Sequence, residues 1–502
     1  MNETIKAMLD KYHVTPQTRA FLEAGHQKMF IDGQFVDSED GATLNVEDPS
    51  SGAHLLTVPK ATLGDLDQAI AAANRAFRSG PWAEMKPNER QALLFRMADV
   101  MEEHAQTLAE LEAIDAGKAI SGCHEVDIAG SIDFLRYMAG WTTKIEGHTR
   151  NVSCPGEAFG FTLKEPIGVV GAIVPWNWPL NMAMWKMCAP LVVGCTIVLK
   201  PAEITPMSMI YLMRIWKEAG LPDGVVNIVI GTGVEIGSPL ASHPGINKVS
   251  FTGSTPVGKL VGKAALENMN PATLELGGKS AMVAFDDANL EDIVTGTLQS
   301  VFFNSGQTCS AGSRLYVQRG LYEQAVAAVA EAANGMVTGD PLDISTTQGP
   351  QISRGQLDKI LNYIQSGIAE GARLVCGGEQ MDRPGYYMQA TVFADCNNSM
   401  KIVREEIFGP VLAVIPFDTE EEAIRLANDS DYGLTASVFT QDVSRAHRLI
   451  KKMEAGTVFV NTHDAMDSSL PFGGYKQSGI GRDLGPEQLE HFLQVKTVIM
   501  QL

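Results

Sequence analysis

The chain has 502 residues, 45% hydrophobic and 20% charged, which suits about three structural units around a large core and a globular rather than disordered protein. Lys and Arg number 39 against 59 Asp and Glu, a net charge of −20 that repels phosphate backbones and anionic lipid head groups, so neither nucleic acid nor a membrane surface is an expected partner. Seven cysteines with no CxxC pair fit reduced thiols and argue against a disulfide framework or a zinc cluster, so no metal site is expected.

The N-terminal MNETIKAMLDKYHVTPQ has no basic region followed by an apolar stretch, which makes the cytoplasm the default location. From about residue 60 to 145 the pattern is helical. Leu63, Leu66, Ile70 and Ala73 recur near a 3.6-residue period, as do Leu93, Met97, Val100 and Met101, and these helices are expected to cover a sheet. The stretch from His148 to Lys164, with FGFTL near its end, reads as a strand without an obvious sheet, and so does the terminal VKTVIMQL. Exposed apolar strands invite aggregation unless paired, which points to a subunit interface and a homodimer or homotetramer.

From Gly168 onward short apolar runs alternate with helical stretches: GVVGAIV, CTIVLK, MSMIYLMRIWKEAG closed by Gly220, VVNIVI and KVSFTG. This is the pattern of a parallel α/β sheet. The most apolar region is no membrane span, because Pro175, Asn177, Pro179, Asn181, Lys186 and Pro190 interrupt it. A second alternation begins near Ser280, with helical patterns over 291–301 and 322–336 and RLYV between them, and predicts a second α/β domain.

Several residues stand out against this background. Gly231, Gly233 and Gly237 in GTGVEIG follow a strand, but the third glycine falls one residue late for a dinucleotide fingerprint, so a structural turn and a phosphate site both stay open. Gly253, Ser254 and Gly258 in FTGSTPVG end another strand, where helix N-terminal amides and a hydroxyl suit an anionic pyrophosphate. Cys309 lies in NSGQTCSAGS, where Gly306 and Gly312 leave room for a substrate near the backbone; an ordinary cysteine there would simply be buried. Glu275 in TLELGGKS is either a strand-end carboxylate or a general base. Asn177 in PWNWP either satisfies local backbone groups or faces an oxyanion.

Taken in order, PWNWP, LKPAE, FTGS, LELGGKS, GQTC, EEIFGPV and PFGGYKQSG resemble the aldehyde dehydrogenase superfamily from about residue 30 to the C-terminus. The resemblance implies an α/β fold of two Rossmann-type domains plus a small β oligomerisation element. On that pattern residues 15–142 and 167–277 form an NAD-binding domain, 278–477 a catalytic domain, and 143–166 with 488–502 the oligomerisation strands. It further implies that Cys309 attacks an aldehyde to give a hemithioacetal and then a thioester, with Asn177 and the Cys309 backbone N–H holding the oxyanion and Glu275 activating the hydrolytic water. For NAD, the resemblance places Lys200 and Glu203 at the adenine-side ribose, Gly253 and Ser254 at the pyrophosphate, Glu406 and Phe408 at the nicotinamide ribose, and Trp176 along the channel. Two departures are Pro256, where Glu is common, and Asp483, also often Glu; Lys476 and Arg482 read as structural or interface residues.

The same resemblance lines the aldehyde tunnel with Trp178, Asn181, Met182 and Trp185, with Thr308 and Ser310, and with Asp464, Met466 and Phe472. Most are apolar or aromatic, which suits an uncharged, flat or bulky group. LRYMAGWTTKI and DSSLPFGGYKQSGIGRDLGP are similar to the phenylacetaldehyde dehydrogenase branch, so the expected substrate is an aromatic aldehyde or arylacetaldehyde, oxidised to its acid, ahead of medium-chain aliphatic aldehydes. Betaine aldehyde is expected to do poorly because no carboxylate cluster faces its cation. A CoA-acylating enzyme is disfavoured by Glu275, and a non-catalytic protein on the same fold by the joint presence of Cys309, Glu275 and Asn177.

Overall fold

Beginning at Val169, each short apolar run forms a strand and the longer runs return the chain as helices, as parallel pairing requires. In the computed structural model, which describes residues 2–502, Val169–Ile173, Thr196–Lys200, Val226–Ile228, Lys248–Thr252 and Ala272–Glu275 lie parallel. Met29–Ile31 and Gln34–Val36 at one edge and Gly479–Ile480 at the other add antiparallel strands, for eight in all. The chain builds outward from Val169–Ile173 to Val226–Ile228, then crosses to Lys248–Thr252 on the other flank. Strand order therefore reverses between Val169–Ile173 and Lys248–Thr252. Open α/β sheets bind ligands at the carboxyl ends beside such a reversal, and here PWNWP follows one strand while Gly253 and Ser254 follow the other.

The second sheet has seven strands in the order Arg373–Cys376, Thr391–Ala394, Val411–Phe417, Arg314–Gln318, Ala281–Ala284, Thr435–Phe439, Thr457–Val460, and only the first is antiparallel. The chain passes straight from Glu275, the last residue of a strand in the first sheet, to Ala281, the first of the second. One sheet's carboxyl end thus meets the other's amino end across Leu276–Ser280.

Helices hold these sheets by different means. Leu63–Arg78 starts with a capping box, in which the Thr62 hydroxyl accepts from the Asp65 N–H at 3.1 Å and the Asp65 carboxylate from the Thr62 N–H at 2.7 Å. Leu66, Ile70 and Ala73 are buried, and the helix packs on the first sheet. Leu63 departs from the periodic reading: at the first helical position it is 57% exposed. Pro179–Val193 is buried on every side, opens with Pro179 and ends at Gly194 in the left-handed region. Among the described residues no helix is long and apolar enough to cross a membrane.

The two strands that seemed to lack a sheet form one together. Ala158–Pro166 pairs antiparallel with Leu493–Gln501 along its whole length, and Thr149–Arg150 adds a third strand. The pairing partners lie more than three hundred residues apart in the chain, beyond the reach of any local pattern. Phe159, Leu163, Val495, Ile499 and Met500 remain exposed on this sheet.

The closing segment is tied to the first domain by a fully buried ion pair, Lys186 with Asp483, and Gln488 adds a bond to Asp483 at 2.9 Å. Removing one partner strands a buried charge, which costs about 3–5 kcal/mol. Asp483→Ala should therefore lower the thermal unfolding midpoint by roughly 5 °C or more. A midpoint equal to the wild type would show that the pair does not anchor this segment.

Candidate active site

The Leu276–Ser280 connection is built for close approach. A Cβ on Gly278 would strike the carbonyl oxygen of Cys309, and one on Gly277 would strike the Glu406 carboxylate, so two segments from the second sheet press on a backbone without side chains. Cys309 is half-buried at this junction. It stands in the walls of two cavities at once.

The narrower cavity, about 190 Å³, is a cleft at the strand-order reversal. Trp176, Asn177, Gly253, Ser254, Glu406 and Phe408 all line it. Trp176 and Phe408 meet edge to face with ring centroids 5.3 Å apart, and Glu406 accepts from the Gly278 N–H at 3.0 Å. Ser254 caps the helix Thr255–Leu266 without using its side chain, so its hydroxyl and the first-turn amides are free for an anion. Pro256 sits in the first helical turn, where a missing N–H costs nothing. Lys200 and Glu203 stand outside the cleft: the buried Lys200 ammonium bonds Glu203 at 3.2 Å and the Pro201 carbonyl at 3.0 Å. Gly233–Gly237 forms one π-helical turn outside this cleft, with Gly237 against the Lys200 side chain.

The larger cavity holds about 470 Å³, and all nine residues expected around an aldehyde line it. Trp178 and Met182 line the cleft as well. Trp178 stacks on Phe303 at 5.9 Å between centroids, and Trp185 meets Phe472 edge on at 5.4 Å. Behind Trp178 the Lys118 ammonium lies 3.5 Å from the ring centroid and pairs with buried Asp127. Sequence reading missed Glu125, Val126, Gln299 and Phe303 in this wall, and Gln356 and Lys359 in the cleft. Gln356 and Lys359 carry a legible signal, the i, i+3 spacing on one face of Arg354–Ala369. The others come from π-helical stretches, Cys123–Ile128 and Leu298–Phe302, or from the residue after one.

Hydrogen bonds fix the reacting groups. The Asn177 side-chain amide donates to the Gln307 carbonyl at 2.8 Å. Ser310, next to Cys309, donates through its hydroxyl to Asp464 at 3.0 Å, and its carbonyl accepts from Thr435 at 3.0 Å. His463 Nε2 lies 3.0 Å from that carbonyl and therefore carries the proton that donates to it. Lys476 and Arg482 bond backbone carbonyls, Asn428 and Ser430 for the first and Gly474 and Gly481 for the second.

Glu275 is placed differently from the rest. It ends its strand beside the cavities but lines neither; its carboxyl group is buried against Gly473 and neither oxygen has a hydrogen-bond partner. Burial first, then the nearby Asp483 carboxylate, holds its pKa well above the usual range, with Lys186 and Arg482 opposing. Burial likewise pushes the Cys309 thiol up, helped by Asp464, Glu406 and Glu275. Both shifts favour the protonated form.

The sequence profile of the Aldehyde dehydrogenase family matches residues 35–498. An aldehyde dehydrogenase of Bacillus cereus, solved as its NAD+ complex, is 46% identical over 97% of this chain and 99% of its own, with a TM-score of 0.95. A variant of betaine aldehyde dehydrogenase from Staphylococcus aureus, in complex with NAD+, is 39% identical over 96% and 97%, with a TM-score of 0.93. The indole-3-acetaldehyde dehydrogenase AldA of P. syringae, in complex with NAD+ and IAA, is 39% identical over 95% and 97%, with a TM-score of 0.92. With the profile spanning nearly the whole sequence and the fold shared end to end, the chain belongs to the aldehyde dehydrogenase family.

Proposed function

We propose that this NAD-dependent aldehyde dehydrogenase oxidises an aromatic aldehyde or an arylacetaldehyde to its carboxylic acid. The observation that carries the substrate class is the wall of four rings, Trp178, Trp185, Phe303 and Phe472, around the cavity that ends at Cys309. Relatives of equal identity act on a betaine and on an indole aldehyde, so overall similarity does not choose between them. The expectation that no carboxylates face a cationic substrate needs correction, because Glu125 joins Asp464 in the wall. A cationic aldehyde is therefore the second reading. It ranks lower because burial raises the Asp464 pKa and Ser310 engages that group, while Glu125 is exposed and screened by water.

The cleft suits NAD: Ser254 and the helix start face a pyrophosphate, and Glu406 and Phe408 a ribose. When bound, the dinucleotide accepts the hydride from the substrate carbon. Cys309 loses its proton and adds its sulfur to the aldehyde carbon, with Asn177 and the Cys309 N–H donating to the developing oxyanion. Loss of hydride leaves a thioester on Cys309. Glu275, once ionised, takes a proton from water, whose oxygen attacks the thioester; the acid departs and the thiol is restored. No hydrogen bond has to break for the Glu275 carboxyl group to swing toward the cavity. With the adenine end of the dinucleotide extending past the cleft to Lys200 and Glu203, the Glu203 carboxylate would accept from a 2′-hydroxyl and repel a 2′-phosphate, favouring NAD over NADP. The exposed three-stranded sheet supports assembly as a homodimer or homotetramer.

Three outcomes test this reading. Because the thiol titrates above its ordinary value, its thiolate fraction grows with pH, and alkylation of Cys309 by iodoacetamide without cofactor should climb about tenfold per pH unit from 6 to 8.5 with no plateau; a plateau below pH 8 would mean a thiolate already poised. Glu275→Gln should release at most about one NADH per site before a slow steady state. Unimpeded multiple turnover would remove Glu275 from the hydrolytic step. Finally, phenylacetaldehyde, benzaldehyde, hexanal and betaine aldehyde should be ranked by kcat/KM with NAD and NADP. Aromatic aldehydes and NAD should lead, and both aromatics falling well below hexanal or betaine aldehyde would overturn the substrate class.

A further inference from the structure

Three residues before the nucleophile, the backbone does something it does nowhere else among the described residues: Asn304, Ser305 and Gly306 stand consecutively in the left-handed region, at φ 47°, 54° and 73°. Such residues normally occur singly, because a Cβ then crowds the following carbonyl, so a run of this kind persists only where surroundings impose it. Those surroundings are visible. Gly306 touches the Gly409 and Pro410 backbone so closely that a Cβ would collide with it. The Ser305 hydroxyl donates to the Gly349 carbonyl at 2.8 Å, and the Gln351 amide donates to the Ser305 carbonyl at 3.1 Å. Gln307 is fixed in turn by the Ile352 N–H, which donates to its side chain at 2.9 Å.

Asn304 contributes a different kind of restraint. Its side-chain amide donates to the Asn177 carbonyl at 3.0 Å and to the Gln307 carbonyl at 3.3 Å, bridging the oxyanion segment and the nucleophile loop. The Gln307 carbonyl also receives one hydrogen of the Asn177 amide. A planar NH2 group with one hydrogen committed has its second direction fixed. Whatever holds the Gln307 carbonyl and the Asn177 backbone in register therefore aims the remaining Asn177 hydrogen.

We propose that Asn304 is a positioning residue, which sets the Asn177 amide and the Cys309 loop at one mutual distance so that donor and nucleophile address the same carbonyl. This rests on the roles proposed above for Cys309 and Asn177. Asparagine suits the position twice, as a side chain tolerated in the left-handed region and as a donor able to span two carbonyls. Asn304→Gly keeps the backbone conformation and removes the amide; Asn304→Asp keeps the size and presents oxygens to two carbonyls.

Two rates separate positioning from mere stability. The first turnover of NADH formation needs the oxyanion donor, whereas iodoacetamide alkylation of Cys309 needs only an accessible thiolate. In both variants the first-turnover rate per alkylatable Cys309 should fall about 10- to 100-fold, the loss typical of a misplaced donor. The alkylation rate and the KM for aldehyde should stay close to wild type. An unchanged first-turnover rate, or both rates falling together, would overturn the proposal. Cys309→Ala run alongside keeps the two readings apart: if it is inactive, such a result counts against Asn304 alone, and if it is active, the nucleophile assignment fails and this inference with it.

Discussion

Everything in this site depends on three backbone segments approaching more closely than side chains would allow. Gly277 and Gly278 carry the chain from the first sheet into the second, and across them lie the Glu406 carboxylate and the Cys309 carbonyl. Gly306 and Gly409 repeat the arrangement one layer further on. A methyl group on Gly278 or Gly306 would meet backbone, and would push Cys309 away from the cleft or the cleft away from the second sheet. The glycines therefore set how far the thiol stands from the carboxyl ends of the parallel strands.

That compactness also determines the electrostatics. Burial is the main cause of the raised pKa of both Cys309 and Glu275 and favours the neutral form of each. The same low dielectric strengthens a hydrogen bond to an oxyanion, since a donor aimed at developing charge works best where no solvent competes. A site so enclosed trades thiolate population at rest for stabilisation during reaction. Glu275 lies outside both cavities, yet close enough to add to the rise in the thiol's pKa.

The parallel sheets and the nucleophile loop were legible because they obey local rules. Apolar runs of strand length, glycines after strands and an isolated carboxylate in LELGGKS are visible within ten residues of sequence. The pairing of Ala158–Pro166 with Leu493–Gln501 is not, since nothing in either strand encodes its partner. Leu63 shows a finer limit: periodicity gives a helix its apolar stripe but not where along the stripe the neighbouring sheet begins. The retracted pose of Glu275 belongs to a third class, being decided by Gly473, Asp483 and Lys186, residues separated from it by most of a domain's length in sequence or more.

Four of the wall residues that escaped notice share a physical cause. Glu125 and Val126 come from the π-helical stretch Cys123–Ile128, Gln299 comes from Leu298–Phe302, and Phe303 follows that stretch directly. A π turn inserts a residue into a helix and rotates everything beyond it, so the 3.6-residue period by which a sequence announces its buried face fails at that point. The irregular turns thus do two things at once: they aim side chains into the cavity, and they hide that aim from the sequence. Cys309, Asn177 and Glu275, the proposed nucleophile, oxyanion donor and base, sit on loops and a strand end fixed by the two sheets, whereas Glu125, Val126 and Gln299 sit on π-helical distortions. A change in one of those turns would reshape the cavity wall without disturbing the sheets, because the turns lie outside the strands.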